Sequence, residues 1–165
     1  MPFPTPFADY EGEVQPGWID SNDHMNMAYY VLMFDLATDA IYDAVGIGAG
    51  YKAATNCGTF AAETHVVYEQ ELLLGERARV TTRIIGCDAK RVHLAHEMVR
   101  ISDGVRNACQ EILFLHVDLS IRRVAPWPAA IFARLQEAAS AHATLPPLPW
   151  LGRRIGLPAR TPQNG

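Results

Sequence analysis

Two carboxylates, an imidazole and two carboxamides fall within seven residues, Asp20-Ser21-Asn22-Asp23-His24-Met25-Asn26. Side chains of these types can hold a proton, pass it on, or attack a carbonyl carbon. The segment that follows, Met27 to Val45, reads as a long helix. Leu32, Met33, Leu36, Ala37, Ala40, Ile41, Ala44 and Val45 recur at three-four spacing, the helical period. Asn26 suits the N-cap and Gly46 the C-terminal stop. The polar cluster therefore sits at a helix N-terminus, where free backbone N–H groups and the positive dipole end favour developing negative charge. This is the candidate chemical centre.

The flanking elements must hold that centre in place. Residues 1–9 are proline-punctuated and read as an extended arm, and Tyr10 to Val14 as a short strand closed by Pro16-Gly17. Residues 46–58, rich in glycine and small side chains, read as a loop with one helical turn that lines a ligand tunnel. From Thr59 the period changes. Strands are predicted over Thr59–Glu69, Arg77–Ile85, Lys90–Ile101 and Arg106–Leu119. In the second of these, Ala78, Val80, Thr82 and Ile84 alternate with Arg77, Arg79, Thr81 and Arg83. Asp103-Gly104 is a strong hairpin signal, and three long strands joined by short turns imply an antiparallel meander. A second helix runs from Trp127-Pro128 to about Ala143. The chain divides into a single domain, 1–143, and a proline-rich tail, 144–165, packed on its body. One long apolar helix must be covered nearly all round, most simply by a strongly curved antiparallel sheet, an α+β arrangement.

Composition narrows the function classes. A chain of 165 residues, 49% hydrophobic and 19% charged, is a one-domain globular chain with a full-sized core. The net charge of −4 and the lack of a basic run argue against nucleic acid as a partner. No stretch approaches a membrane span, and the N-terminus does not read as a signal peptide. Three scattered cysteines suggest reduced thiols and a cytoplasmic location.

The segment Asp20-Ser21-Asn22-Asp23-His24-Met25-Asn26-Met27-Ala28-Tyr29-Tyr30 resembles the motif of the hotdog-fold acyl-CoA thioesterases of the 4-hydroxybenzoyl-CoA thioesterase type. That motif runs Asp-x-x-Gly-His-(Val/Met)-Asn-(Asn)-x-x-Tyr before a central helix. Asp23 replaces the glycine and Met27 the second asparagine. Phe34-Asp35-Leu36-Ala37-Thr38-Asp39-Ala40, Glu63-Thr64-His65 and Asp88-Ala89-Lys90-Arg91-Val92-His93 are more closely similar to the thioesterase domains associated with carnitine dehydrogenases, which act on betainyl-CoA. The resemblance implies a hotdog fold and hydrolysis of a small acyl-CoA to free acid and CoA. It implies no cofactor, with coenzyme A present only as part of the substrate. It also implies pairing into a homodimer or homotetramer, with sites near the subunit boundary.

On this resemblance Asp20 attacks the thioester carbonyl or deprotonates a water. The alternative is that it merely caps the turn. Backbone N–H groups of Met27 and Ala28 would receive the oxyanion, and His24 and Asn26 would orient Asp20, the water or the carbonyl, unless they only hold the turn. Some hotdog thioesterases use a helix carboxylate instead, which makes Asp35 the internal rival of Asp20. Glu63 and His65 share one strand face and would meet the acyl end if that face points at the tunnel. A betainyl group is a quaternary ammonium and calls for aromatic walls and a nearby carboxylate. Tyr29, Tyr30, Phe34, Tyr51, Phe60, Tyr68, Asp35 and Glu63 can supply them. Lys90 and Arg91, at a hairpin, would meet the CoA phosphates, or be plain strand-end charges.

Other signals carry less. His93 and His96 are three apart on a strand, so they face opposite sides and make no metal pair. Gly46-x-Gly48-x-Gly50 does not follow a strand and is no dinucleotide fingerprint. Two further functions fit the same fold: a non-hydrolytic acyl-CoA or acyl-carrier binding module, and an enoyl hydratase or dehydratase.

Overall fold

The computed structural model describes residues 3–157; the end of the tail, 158–165, and residues 1–2 lie outside the described part. In chain order the elements are β1 (Phe7–Glu13), a 3-10 turn (Pro16–Trp18), α1 (Met27–Val45), α2 (Ala49–Thr55), β2 (Cys57–Tyr68), β3 (Arg77–Cys87), β4 (Arg91–Arg100), β5 (Arg106–Asp118), β6 (Arg123–Val124) and α3 (Ala129–His142). The sheet order is β1-β3-β4-β5-β2, with β6 added beside β5. All pairings are antiparallel. The sheet curls around α1, which is the α+β hotdog arrangement.

α1 begins and ends as the sequence requires. Asn26 is the N-cap, with extended backbone and its side chain accepting the Ala28 N–H. Gly46 has φ +88° and closes the helix in the left-handed region, where a Cβ is costly. The buried face is Tyr30, Met33, Phe34, Ala37, Thr38, Ile41, Tyr42 and Val45. The predicted stripe is therefore partly displaced: Leu32 and Leu36 are 38% and 39% exposed, with Val31 beside them at 38%. A helix covered nearly all round is not what the chain builds; one face of α1 stays open.

Two clusters make the core. Around the N-terminal half of α1, Met25, Met33 and Phe34 pack on Val80 and Met98. Around its C-terminal half, Ile41 and Val45 meet Ile84 and Leu94 of the sheet and Leu135 of α3. Each fully buried side chain of this size contributes roughly 1.5–3 kcal/mol. The inward row of β3 is Ala78, Val80, Thr82 and Ile84, all at most 1% exposed, so the period of two placed that strand correctly.

The remaining differences have physical causes. The first strand starts at Phe7, inside the predicted arm. Segment 46–58 holds a true helix, α2, whose Tyr51 hydroxyl donates to His116 Nε2 at 2.8 Å. Asn56, at φ +50°, caps it with its N–H on Lys52 O. On the convex side of the sheet, Trp150 packs against Ala95 and Cys109. Its indole N–H donates to Glu97 Oε1 at 3.1 Å, so the described part of the tail straps the outer face.

Candidate active site

The turn before α1 is closed by its own backbone. Asp20 N donates to His24 O and Asp23 N to Asp20 O, each at 3.1 Å. Ile19 and Met25 form an antiparallel bridge. Asp23, which stands where the resembled motif has glycine, has φ +62°. That is the left-handed conformation glycine takes freely and aspartate tolerates better than most residues. Two bonds tie the turn to the body: Met25 N to Leu72 O at 2.8 Å and Asn26 N to Trp18 O at 2.9 Å. Trp18 stacks on Tyr29 with centroids 5.2 Å apart.

Asp20 is half-buried and its two oxygens are separately held. Oδ1 accepts the Asn22 N–H at 2.8 Å and Oδ2 the Asn26 Nδ2–H at 3.4 Å. A carboxylate has about four acceptor positions, so two contacts leave capacity for a water or an attacking trajectory. Asn26 Oδ1 meanwhile accepts the Ala28 N–H at 3.0 Å. One side chain thus caps the helix and orients the carboxylate. It also removes the Ala28 amide from the expected oxyanion pair. Among the described residues the Met27 N–H meets no acceptor, and it is the amide left for an oxyanion.

Beside this turn lies a cleft of about 270 Å³, lined by His24, Met27, Tyr30, Tyr68 and the 69–71 segment among others. Asp20 and Asn26 are not themselves lining residues; the cleft meets the turn at His24, Met25 and Met27, the last of which follows Asn26 directly. His24 points its Nδ1 toward Met25 O at 3.2 Å. Tyr30 accepts the Leu72 N–H at 3.0 Å, and Tyr68 donates to Met27 O at 3.2 Å. Glu69, on the rim, is clasped by Arg106 at 2.7 Å, which holds its carboxyl below the usual range. The 69–71 segment was not singled out in the sequence. Its only signal is the acidic run that follows a strand-ending tyrosine.

Other predicted residues are not brought together with Asp20. Asp35 is exposed on the open face of α1, eight residues beyond Met27 and so about 12 Å along the axis. It lines a different, acidic cleft with Asp39, Tyr42 and Asp43; burial, and then repulsion by Asp35 and Asp43, pushes the Asp39 carboxyl up. Glu63 and His65 do share a strand face, but it is the convex one. They line a groove with His93, Glu111 and Arg153, and the sheet separates them from α1. Lys90 and Arg91 lie at the β3–β4 hairpin, by the C-terminal end of α1, and Arg91 is paired with Asp88. A 19-residue helix is roughly 28 Å long, so within one chain this hairpin is remote from Asp20. Among the described residues no group of three or more His, Cys, Asp or Glu side chains could hold a metal ion.

A family model described as the Thioesterase-like superfamily matches residues 14–135. A betainyl-CoA thioesterase of Pseudomonas aeruginosa is 37% identical over 149 residues, covering 90% of this chain and 94% of that protein. An L-carnitine dehydrogenase/betainyl-CoA thioesterase of Agrobacterium fabrum is 35% identical over 132 residues, which are 80% of this chain but 27% of that protein. Among solved structures, a putative thioesterase from Pseudomonas putida superposes with a TM-score of 0.81 at 32% identity, covering 95% of this chain and 100% of that one. A hypothetical protein of Staphylococcus aureus in complex with CoA reaches 0.86 at 23% identity, covering 96% and 100%, and shares the fold.

Proposed function

The chain belongs to the thioesterase-like superfamily, and from that premise we propose how it works as a thioester hydrolase. Its substrate is a small acyl-CoA, and the acyl group is betainyl. The 37% identity with the Pseudomonas aeruginosa enzyme, over nearly the whole of both chains, supports that choice. Asp20 supplies the carboxylate, either attacking the carbonyl carbon to form an anhydride that water then opens, or deprotonating the attacking water. The Met27 N–H at the helix start receives the developing oxyanion. Asn26 fixes the carboxylate relative to that amide, and His24 closes the wall between them. The products are free acid and CoA, and the reaction needs no cofactor.

The observation that carries this reading is the double use of Asn26, whose amide group meets Asp20 through nitrogen and caps α1 through oxygen. Asp20→Asn keeps the shape and removes the charge. Its turnover, followed by release of free thiol from betainyl-CoA, is expected to fall by roughly 10²–10⁴-fold, with an unchanged unfolding midpoint. Near-normal hydrolysis across a panel of short, branched, aromatic and trimethylammonium acyl-CoAs would remove Asp20 from the role. Binding without any thiol release by the wild-type protein would mark a carrier module, and loss of enoyl absorbance a hydratase.

The working unit is a homodimer. Among the described residues β2 pairs only with β5, and the free edge of this 12-residue strand runs beside the open face of α1. Phe60, Val31, Leu32 and Leu36 are all more than a third exposed there. A long unpaired edge next to apolar surface is normally covered. A two-fold axis at this surface sets two copies of α1 antiparallel and carries the Asp35 ridge and the basic hairpin of a second copy toward Asp20. No helix among the described residues is long and apolar enough to cross a membrane. We read the protein as cytoplasmic, a reading that its three scattered, free cysteines support.

A further inference from the structure

In betainyl-CoA a single methylene separates the cationic nitrogen from the thioester carbonyl, so the charge must be recognised in the same cleft as the reacting carbon. Tyr30 and Tyr68 form an edge-to-face pair in that cleft, with centroids 5.3 Å apart at 90°. Their hydroxyls are already engaged by backbone: Tyr30 with Leu72 N and Gln70 O, Tyr68 with Met27 O. What Tyr68, 43% exposed, offers a ligand is ring surface, and Tyr30, 4% exposed, backs it from the core. Two carboxylates adjoin them. Glu69 is neutralised by Arg106, whereas the Glu71 side chain has no ion pair or hydrogen bond among the described residues. Among the described residues no lysine or arginine lines this cleft.

We infer that Tyr68, held by Tyr30 behind it, and Glu71 form a subsite that selects a quaternary ammonium acyl group over its neutral isostere. The inference rests on the betainyl-CoA reading and deepens it by naming the groups that confer the preference. The Tyr68 ring attracts the spread charge of a trimethylammonium, and an unpaired carboxylate adds a Coulombic pull that salt weakens. A quaternary nitrogen has no N–H to donate, so a wall whose hydroxyls are turned away loses nothing by contact with it. A carboxylate-bearing acyl group would meet Glu71 with like charge and be refused.

The test uses a matched pair of ligands, CoA thioethers carrying a trimethylammonium or a tert-butyl terminus, measured by equilibrium titration. These cannot be hydrolysed, so the preference is read whether or not turnover occurs. The wild-type protein is expected to bind the cationic ligand about tenfold more tightly than the neutral one. Glu71→Gln and Tyr68→Leu each collapse that ratio toward one, and Tyr68→Phe, which keeps the ring, preserves it. The Glu71 contribution shrinks as ionic strength rises. A wild-type ratio near one, or a ratio unmoved by Glu71→Gln and Tyr68→Leu, overturns the subsite. Failure to hydrolyse betainyl-CoA despite the tenfold ratio would instead overturn the hydrolase mechanism and leave the subsite standing.

Discussion

Asn26 serves two masters, and two substitutions separate them. Serine is as good an N-cap as asparagine but cannot reach Asp20 with a second donor. Asn26→Ser should therefore unfold within about 0.5 kcal/mol of the wild type, while kcat falls roughly tenfold or more because the carboxylate is no longer held. Asn26→Ala should lose the rate and, in addition, about 1 kcal/mol of stability. Urea titration beside thiol-release kinetics checks both. Equal kinetics for the serine variant and the wild type would mean that the Asn26–Asp20 contact is incidental. At this scale much of the site was legible, because the cap, the turn and the carboxylate are all short-range. The loss of the Ala28 amide was not, since it depends on which rotamer the cap adopts.

Between elements, a buried polar relay joins α1 to the sheet. Thr38 Oγ1 donates to Phe34 O, so it must accept from His96 Nε2–H at 3.1 Å. Thr82 then donates to His96 Nδ1 at 2.9 Å. Both ring nitrogens are satisfied in the neutral form. Burial lowers the His96 pKa to about 3 from an ordinary 6.5, and burial lowers that of His142 as well. The unfolded chain thus takes up protons before the folded one does. The stability that His96 supplies is full above about pH 6.5 and is lost as pH falls toward 3, with a slope of at most roughly 1.4 kcal/mol per pH unit, and His142 acts in the same direction. His96→Gln removes one such proton, so its unfolding free energy should depend less steeply on pH between 6.5 and 4 than that of the wild type. Parallel curves would place the titration elsewhere. The elements themselves were readable where one period dominates, as in β3. They were not where small residues leave no pattern, as in α2, which is held by the Tyr51 hydroxyl and the Asn56 cap. Nor does a period of two say which side of the sheet is inward. For Glu63 and His65 the answer lies in their register with Leu113 and Glu111, beside a bulge after Ala61.

Across the whole molecule, the apolar residues of α1 extend further round the helix than its own sheet covers. A three-four spacing alone cannot tell a residue buried in its own core from one on an open apolar face, which is why Leu32 and Leu36 read as core. If the open face is a subunit contact, Leu36→Glu should yield a monomer by light scattering at micromolar concentration, with hydrolysis reduced at least tenfold because the site is left incomplete. A wild-type protein that is itself only monomeric would reject the dimer. The tail strap, finally, has a reach beyond the surface it covers. Trp150 and Arg106 bond the same oxygen of Glu97, and Arg106 goes on to grip Glu69 at the cleft rim. A rein therefore runs along the back of the sheet to Glu69, at the rim of the mouth that admits substrate. Ending the chain at Leu145 should slacken that rein, raising KM several-fold while kcat stays within twofold, so that events on the far side of the protein can tune its hold on the acyl group.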